Sequence, residues 1–343
     1  MTAAGDVTLQ RVYFTCRHCG DHAHALDERL GVQGFVSPHA QRLFCLAGVD
    51  QSFEKAARHL RDFAGLVVSD KTVRKICDQH GAKARTWQRE GPQPSRAFAL
   101  AAGDVEFQTD GTCVNTTRGW REIRLSIFAK RQRGRPVIQL DDWDEQRLPA
   151  PETRVATAAI KTSAALGPQW RRAATRLGIR RTEQITVLAD GAKWIWNQVA
   201  RSLPGAEGIL DFYHAGEHIY AMAHALHGEG TAAAKDWAEP RKRTLLESGA
   251  TGLIAELEGG PDDASVLIKY LGPHQAHTDY RARLREGRSI GSGMVEGGCK
   301  TAIGKRLKQT GARWKARRVE RMASLCCLAY GDQWDAYWKK AAG

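Results

Sequence analysis

No stretch of the chain approaches the roughly 18 unbroken apolar residues that a membrane-spanning helix requires. The opening Met1-Thr2-Ala3-Ala4-Gly5-Asp6 lacks the basic-then-apolar order of a secretory signal. The eight cysteines form no disulfide framework: Cys16 and Cys19 are close, Cys326 and Cys327 are adjacent, and the others are scattered. Together these absences lead to the expectation of a protein of the reducing cytoplasm. There is no internal repeat and no low-complexity tract. Acidic residues are almost missing between positions 297 and 321, where Glu320 stands alone.

What is present is positive charge. The 343 residues carry a net charge of +13, with a pI near 9.5. Such a balance bears on partners rather than on fold, and it favours a polyanion. The apolar fraction of 42% and charged fraction of 26% are those of an ordinary globular protein. The length suffices for one large core or for two to three domains.

Residues 1–30 are irregular and marked by Cys and His, and 31–95 read as helical. In 38–63, Phe53, Ala56, Ala57, Leu60 and Phe63 recur close to helical spacing. After Gly65, Ser69-Asp70 can cap a second helix, 71–80, which Gly81 is expected to stop. The pair suggests a helix-turn-helix whose second helix presents Lys71, Arg74 and Lys75 to DNA. Residues 91–95 read as a linker. Segments 105–110, 122–128 and 136–140 then read as three successive strands, and the Ala-rich 151–177 as helix. A short apolar run, 185–188, has the look of a buried parallel strand. A helix over 192–203 and a strand over 208–212 follow. From 214 to 285 the strand signal is lost and a helical insertion is expected. Residues 286–343 are expected to hold a return helix and basic C-terminal helices. Three strands, helix, strand, helix, strand is the element order of a ribonuclease-H-like α/β sheet, here expected over 100–213.

Three acids stand in settings that suit catalysis. Asp110 ends an apolar run and precedes Gly111-Thr112, Asp190 does the same before Gly191-Ala192, and Glu296 precedes the basic stretch. Cutting or joining a phosphodiester needs an activated oxygen nucleophile and stabilised charge on the leaving oxygen, which two metal ions supply together. Mg²⁺ prefers carboxylate oxygens, and Mn²⁺ is an alternative. Asp110, Asp190 and Glu296 are therefore the candidate catalytic and metal-binding residues. Asp211 and His214, just after the last expected strand, are read as a brace for them. His214 and His218 share a helical face, yet the spacing lacks the Glu of a zinc protease.

Beyond Glu296 the chain carries Lys300, Lys305, Arg306, Lys308, Arg313, Lys315, Arg317, Arg318 and Arg321, with Trp314 among them. Lys300, Lys305, Arg306, Lys308, Arg313, Trp314, Lys315, Arg317 and Arg318 are expected to contact DNA, which would make affinity salt-dependent. Near the start, Cys16 and Cys19 with His22 or His24 could contribute to a Zn²⁺ site; otherwise these cysteines are free thiols.

The combination of Thr109-Asp110-Gly111-Thr112, Gly119-Trp120-Arg121-Glu122-Ile123, the segment 188–197 around Asp190, the segment 209–218 around Asp211 and His214, and Gly291-Ser292-Gly293-Met294-Val295-Glu296 resembles bacterial insertion-sequence transposases of the ISKra/ISLre type. These belong to the wider Mutator-like group of DDE transposases. The resemblance runs from about residue 13 to the closing Gly331-Asp332-Gln333-Trp334-Asp335-Ala336-Tyr337-Trp338. It implies a ribonuclease-H-like (retroviral-integrase-like) core interrupted by a helical insertion before its glutamate. The family's two aspartates and glutamate fall on Asp110, Asp190 and Glu296, and its Asp-x-x-His element on Asp211 and His214. The implied activity is Mg²⁺-dependent cleavage at element ends and joining of the 3′-OH to target DNA, by a homodimer or larger assembly on DNA, with no membrane involved. Family members have a longer region ahead of the Cys-x-x-Cys, so an N-terminally shortened copy is also expected. Two other readings stand beside this one: a related nuclease without strand transfer, and a non-catalytic DNA-binding relic or regulator.

Overall fold

A computed structural model describes residues 1–8, 10, 12–23, 35–90, 94–145, 147–179 and 183–342. Its centre is a mixed five-stranded sheet. Strand β3 (Asp104–Thr116) and strand β4 (Gly119–Arg131) form a long antiparallel hairpin in register from Asp104↔Arg131 to Thr116↔Gly119. Gly119 closes the turn at φ +88, a left-handed conformation that residues with a Cβ seldom adopt. Strand β5 (Thr153–Ala159) pairs antiparallel to β4, while β6 (Ile185–Ala189) and β7 (Glu207–Leu210) continue the sheet parallel to β3. The spatial order is β5-β4-β3-β6-β7. A separate two-stranded ribbon, β1 (Phe14–Thr15) with β2 (His22–Ala23), lies near the N-terminus.

Helices cover both faces of the sheet, which is why β6 is buried at every position and reads as an unbroken apolar run. On one face, α5 (Ser163–Arg176) and α6 (Lys193–Ser202) pack Trp170, Ile195 and Val199 against Val105, Phe107, Phe128 and Val187. Phe107 sits 4.5 Å from Phe128 and 5.0 Å from Trp170, ring to ring. On the other face, Leu125, Ile127 and Ala156 meet Val295, Cys299 and Cys327. Val295 belongs to α11 (Gly293–Gly298) and Cys327 to α13 (Ala316–Tyr330). Residues between β7 and α11 form α7 (Phe212–His227), α8 (Ala232–Glu258), α9 (Ser265–Leu271) and α10 (Tyr280–Arg285), with their own core around Leu246, Leu253 and Tyr280. Among the described residues no helix is long and apolar enough to cross a membrane.

Several local expectations are corrected. Residues 136–140 are not a strand: Pro136 has no N–H to give a ladder, and Gly134 and Val137 donate instead to Gly287 and Leu284. The third strand is β5, inside a stretch whose alanines suggested helix. Small residues are needed there because α13 ends close by, where a Cβ on Gly331 would lie 2.9 Å from the Arg154 carbonyl oxygen. Asp110 does not end its strand; β3 runs on to Thr116, although its parallel pairing with β6 stops at Gln108↔Leu188. The helix expected over 71–80 is α3 (Asp70–Glu90), and Gly81 lies buried within it. A Cβ on Gly81 would stand 2.5 Å from the Arg321 carbonyl oxygen, so this glycine permits close helix contact instead of ending a helix. The basic stretch after Glu296 is broken as well: a π-helical turn (Cys299–Gly304), the short α12 (Lys305–Leu307) and a loop precede α13.

The N-terminal helices α1 (Pro38–Asp50), α2 (Phe53–Ala64) and α3 share one core with α13 and α14 (Trp334–Ala342), in which Phe44, Leu60 and Val73 meet Leu325, Leu328, Tyr337 and Trp338. Helix α4 (Pro94–Leu100) links this body to β3.

Candidate active site

Asp110 and Asp190 come from adjacent parallel strands, β3 and the turn after β6. Backbone donors fix both carboxylates: Gly111 N–H to Asp110 Oδ1 at 2.5 Å, and Ala192 N–H to Asp190 Oδ1 at 2.9 Å. Burial holds the Asp110 carboxyl above its ordinary pKa, and the negative charge of Asp190 adds to that. The Gly111 N–H, His214 and the thiol of Cys299 act in the opposite direction.

Asp211 is 7% exposed and makes four hydrogen bonds. Its Oδ1 accepts from Tyr213 N–H at 2.8 Å and His214 N–H at 3.1 Å, capping α7. Its Oδ2 accepts from the Ser292 N–H at 2.7 Å and the Ser292 hydroxyl at 2.5 Å. One side chain thus joins the start of α7 to the turn that opens α11. Gln108 fixes α11 from the other side, accepting the Val295 N–H at 3.0 Å from within β3.

Glu296, on α11, is 63% exposed and ion-paired to Lys300 at 2.5 Å. It is linked to the aspartates through Cys299: burial, then Asp110, push that thiol up to about 12, and Glu296 acts in the same direction. Lys308, whose ammonium donates to Thr112 Oγ1, opposes them. Among the described residues no three His, Cys, Asp or Glu side chains stand close enough to hold a metal ion. The structure therefore brings Asp110 and Asp190 together and leaves Glu296 turned towards Lys300.

His214 Nδ1 lies 3.1 Å from Glu217 Oε2, and its ring meets His218 edge-on at 5.0 Å. His218 stacks on Tyr270 at 3.8 Å. Burial lowers the His218 pKa, and His214 lowers it further. Tyr270 was not singled out by sequence as a site residue, yet it forms a wall of this site from α9. A Cβ on Gly191 would stand 2.4 Å from its ring. Its buried hydroxyl has no hydrogen-bond partner among the described residues. Burial, and then Asp190, Asp211 and Glu217, raise its pKa. The only local sign of this approach is Gly191 itself, placed where any side chain would collide.

The expected DNA contacts divide. Lys71, Arg74 and Lys75 are exposed on the first turns of α3, and Arg313, Lys315 and Arg317 are exposed, with Arg318 half-buried. Arg306 is enclosed rather than exposed: it is 2% exposed, donates from Nε to the Gly48 carbonyl at 2.5 Å, and lies over the rings of Phe53 and Trp314 at 4.5 and 4.8 Å. Trp314 is likewise drawn inward, donating from its indole to the Leu307 carbonyl at 3.2 Å. Both side chains are thus held against the apolar cover that α2 gives this segment, through Phe53. Lys305 is paired with Asp50.

Cys16 and Cys19 flank the tight turn of the β1–β2 ribbon, where Gly20 N–H bonds the Cys16 carbonyl at 3.0 Å. Both are exposed free thiols. N–H groups of Cys19 and His18 lower the Cys16 pKa. His22 is on β2, its ring 5.4 Å from Tyr13; His24 lies outside the described residues. Compared with protein-family models and with curated proteins, the chain matches none.

Proposed function

We propose that the chain is a DDE-type transposase with a ribonuclease-H-like core, acting on DNA through Asp110, Asp190 and Glu296. One observation carries the reading. Two carboxylates come from adjacent parallel strands, one within the first and one just past the end of its neighbour, in a sheet whose chain-order numbering is 3-2-1-4-5, with only the second strand antiparallel. The third acid follows on a helix that returns after a helical insertion and is held by Asp211 and Gln108. The element order and strand directions support the ribonuclease-H-like assignment.

The donor set fits Mg²⁺ or Mn²⁺. Asp110 and Asp190 are hard oxygen ligands whose mutual repulsion a divalent cation would relieve. Glu296, paired with Lys300 in this structure, would have to turn from it to join them. Bound there, such ions supply Lewis-acid stabilisation of the phosphodiester and a more acidic nucleophile. The protein's own groups hold the carboxylates in place, and its +13 charge draws the DNA in. Cys16 and Cys19 are proposed Zn²⁺ ligands, with the remaining ligands to come from His22 or beyond.

The test is incubation with Mg²⁺ and DNA carrying the sequences that flank the gene. End cleavage and strand transfer, both lost in Asp190→Asn with binding retained, are expected. Cutting without joining would identify a nuclease. A second reading, a DNA-binding protein without catalysis, is favoured by one feature, the ion pair that keeps Glu296 from the aspartates. DNA retention with no cutting by the unaltered protein would establish it.

A further inference from the structure

A cavity of about 460 Å³ opens between α3 and the 309–315 loop. Six cations line it, among them Arg74, Arg313, Lys315 and Arg318, against a single carboxylate, Asp78. Asp78 is already paired with Arg321. The side chains of Arg74, Arg313, Lys315 and Arg318 have no ion-pair partner among the described residues.

The wall contributed by Arg306 sets this cavity apart from a merely basic surface. The residue is 2% exposed, yet Nη2 has no hydrogen-bond acceptor among the described residues. A planar fork with an unused donor, among further cations, calls for a ligand rich in anionic oxygens. We propose that this cavity binds a phosphate group, and that the phosphate belongs to a DNA strand running between α3 and the 309–318 segment.

The proposal rests on the DNA-transacting reading and deepens it. Strand β3 passes from Asp110 to the tip of its hairpin, about 20 Å at strand rise. At that tip Thr117 N–H bonds the Trp314 carbonyl at 2.8 Å, and Trp314 N–H bonds the Asn115 carbonyl at 3.1 Å. The cavity wall is therefore tied to the same strand that carries the first acid. A DNA strand gripped in the cavity would be held at a fixed distance from Asp110.

Fluorescence anisotropy of the full chain with a labelled duplex, across a range of KCl, tests this. Arg313→Gln with Arg318→Gln removes two charges from the cavity without touching its folded wall. Lys161→Gln with Arg172→Gln removes two from a different basic hollow. The cavity variant is expected to lose at least about tenfold in affinity near 0.1 M salt and to flatten the log–log salt slope by about 2, while the control stays within about threefold. Equal losses in both, or none in either, would overturn the cavity and leave the catalytic reading standing. Inorganic phosphate titrated calorimetrically distinguishes the source. Phosphate binding that the cavity variant loses while its DNA affinity is intact would assign the site to a free phosphate and overturn the DNA-strand assignment. An unaltered protein with no affinity for DNA would remove both readings together.

Discussion

Asp211 shows how much one carboxylate can organise. It is nearly buried, so its charge is tolerated only because four donors face it, two from the start of α7 and two from Ser292. Replacing it by alanine removes a helix cap and strands the Ser292 N–H. Asp211→Ala is expected to cost about 2–4 kcal/mol in urea unfolding. Asp211→Asn, which keeps one acceptor, should cost less. His80 makes the contrasting case of a buried base kept neutral. Its Nε2–H donates to Gln41 Oε1 at 2.7 Å, and the Tyr337 hydroxyl donates to Nδ1 at 2.8 Å, the arrangement that a neutral ring allows. Burial, with Lys83 nearby, lowers its pKa to about 4. Between that value and the ordinary 6.5 the unfolded chain takes up a proton that the native chain refuses. The stabilising contribution is thus complete above pH 6.5 and lost as pH falls towards 4, by up to about 3 kcal/mol. Unfolding free energies measured between pH 5 and 7 should fall with acidity in the unaltered protein and be flatter in His80→Gln.

At the scale of elements, Gly81 separates local propensity from packing. Alanine is the better helix former by about 1 kcal/mol. Inside α3, however, its Cβ would meet the Arg321 backbone at 2.5 Å, and backbone cannot move aside like a side-chain tip. Gly81→Ala is therefore expected to destabilise by about 1–3 kcal/mol, read as a lower urea midpoint, although isolated-helix rules favour it. The same conflict explains what could be read from sequence. Strand β6 was legible because both of its faces are covered, leaving every position apolar. Strand β5 was not, because its alanines answer to the closeness of α13 and not to the pleat. The positions of Asp110 and Asp190 were legible as acids followed by Gly. The direction of Glu296 was not, since its pairing with Lys300 depends on a single helical turn that the sequence allows but does not require. Tyr270 was beyond reach of local pattern: it joins the site only because the insertion folds back over Gly191.

For the whole molecule, the decisive feature is that the first and last helices are one body. A helix-turn-helix reading makes 31–95 an autonomous reader of DNA. In the structure its apolar side chains close on Leu325, Leu328, Tyr337 and Trp338, which come from the other end of the chain. Its polar groups do the same: His80 is satisfied by Tyr337, Arg85 pairs with Glu320 at 3.0 Å, and Asp78 pairs with Arg321. Without α13 and α14, buried Phe44, Val73, Ile76 and Trp87 would face water, and each large side chain so exposed forfeits about 1.5–3 kcal/mol. Only about 60 residues would remain, a size at which a single core is already marginal. Residues 35–95 produced alone are expected to show little cooperative unfolding, weak amide protection and no sequence-dependent DNA binding. In the full chain, amide exchange should protect α3 and α13 to similar free energies, because neither keeps its core when the other opens. A folded, DNA-reading 35–95 fragment would show that the C-terminal helices are a cover over an independent module. Loss of structure in the fragment, with joint protection in the full chain, would mean that α3 and the basic C-terminal segment belong to a single folded body.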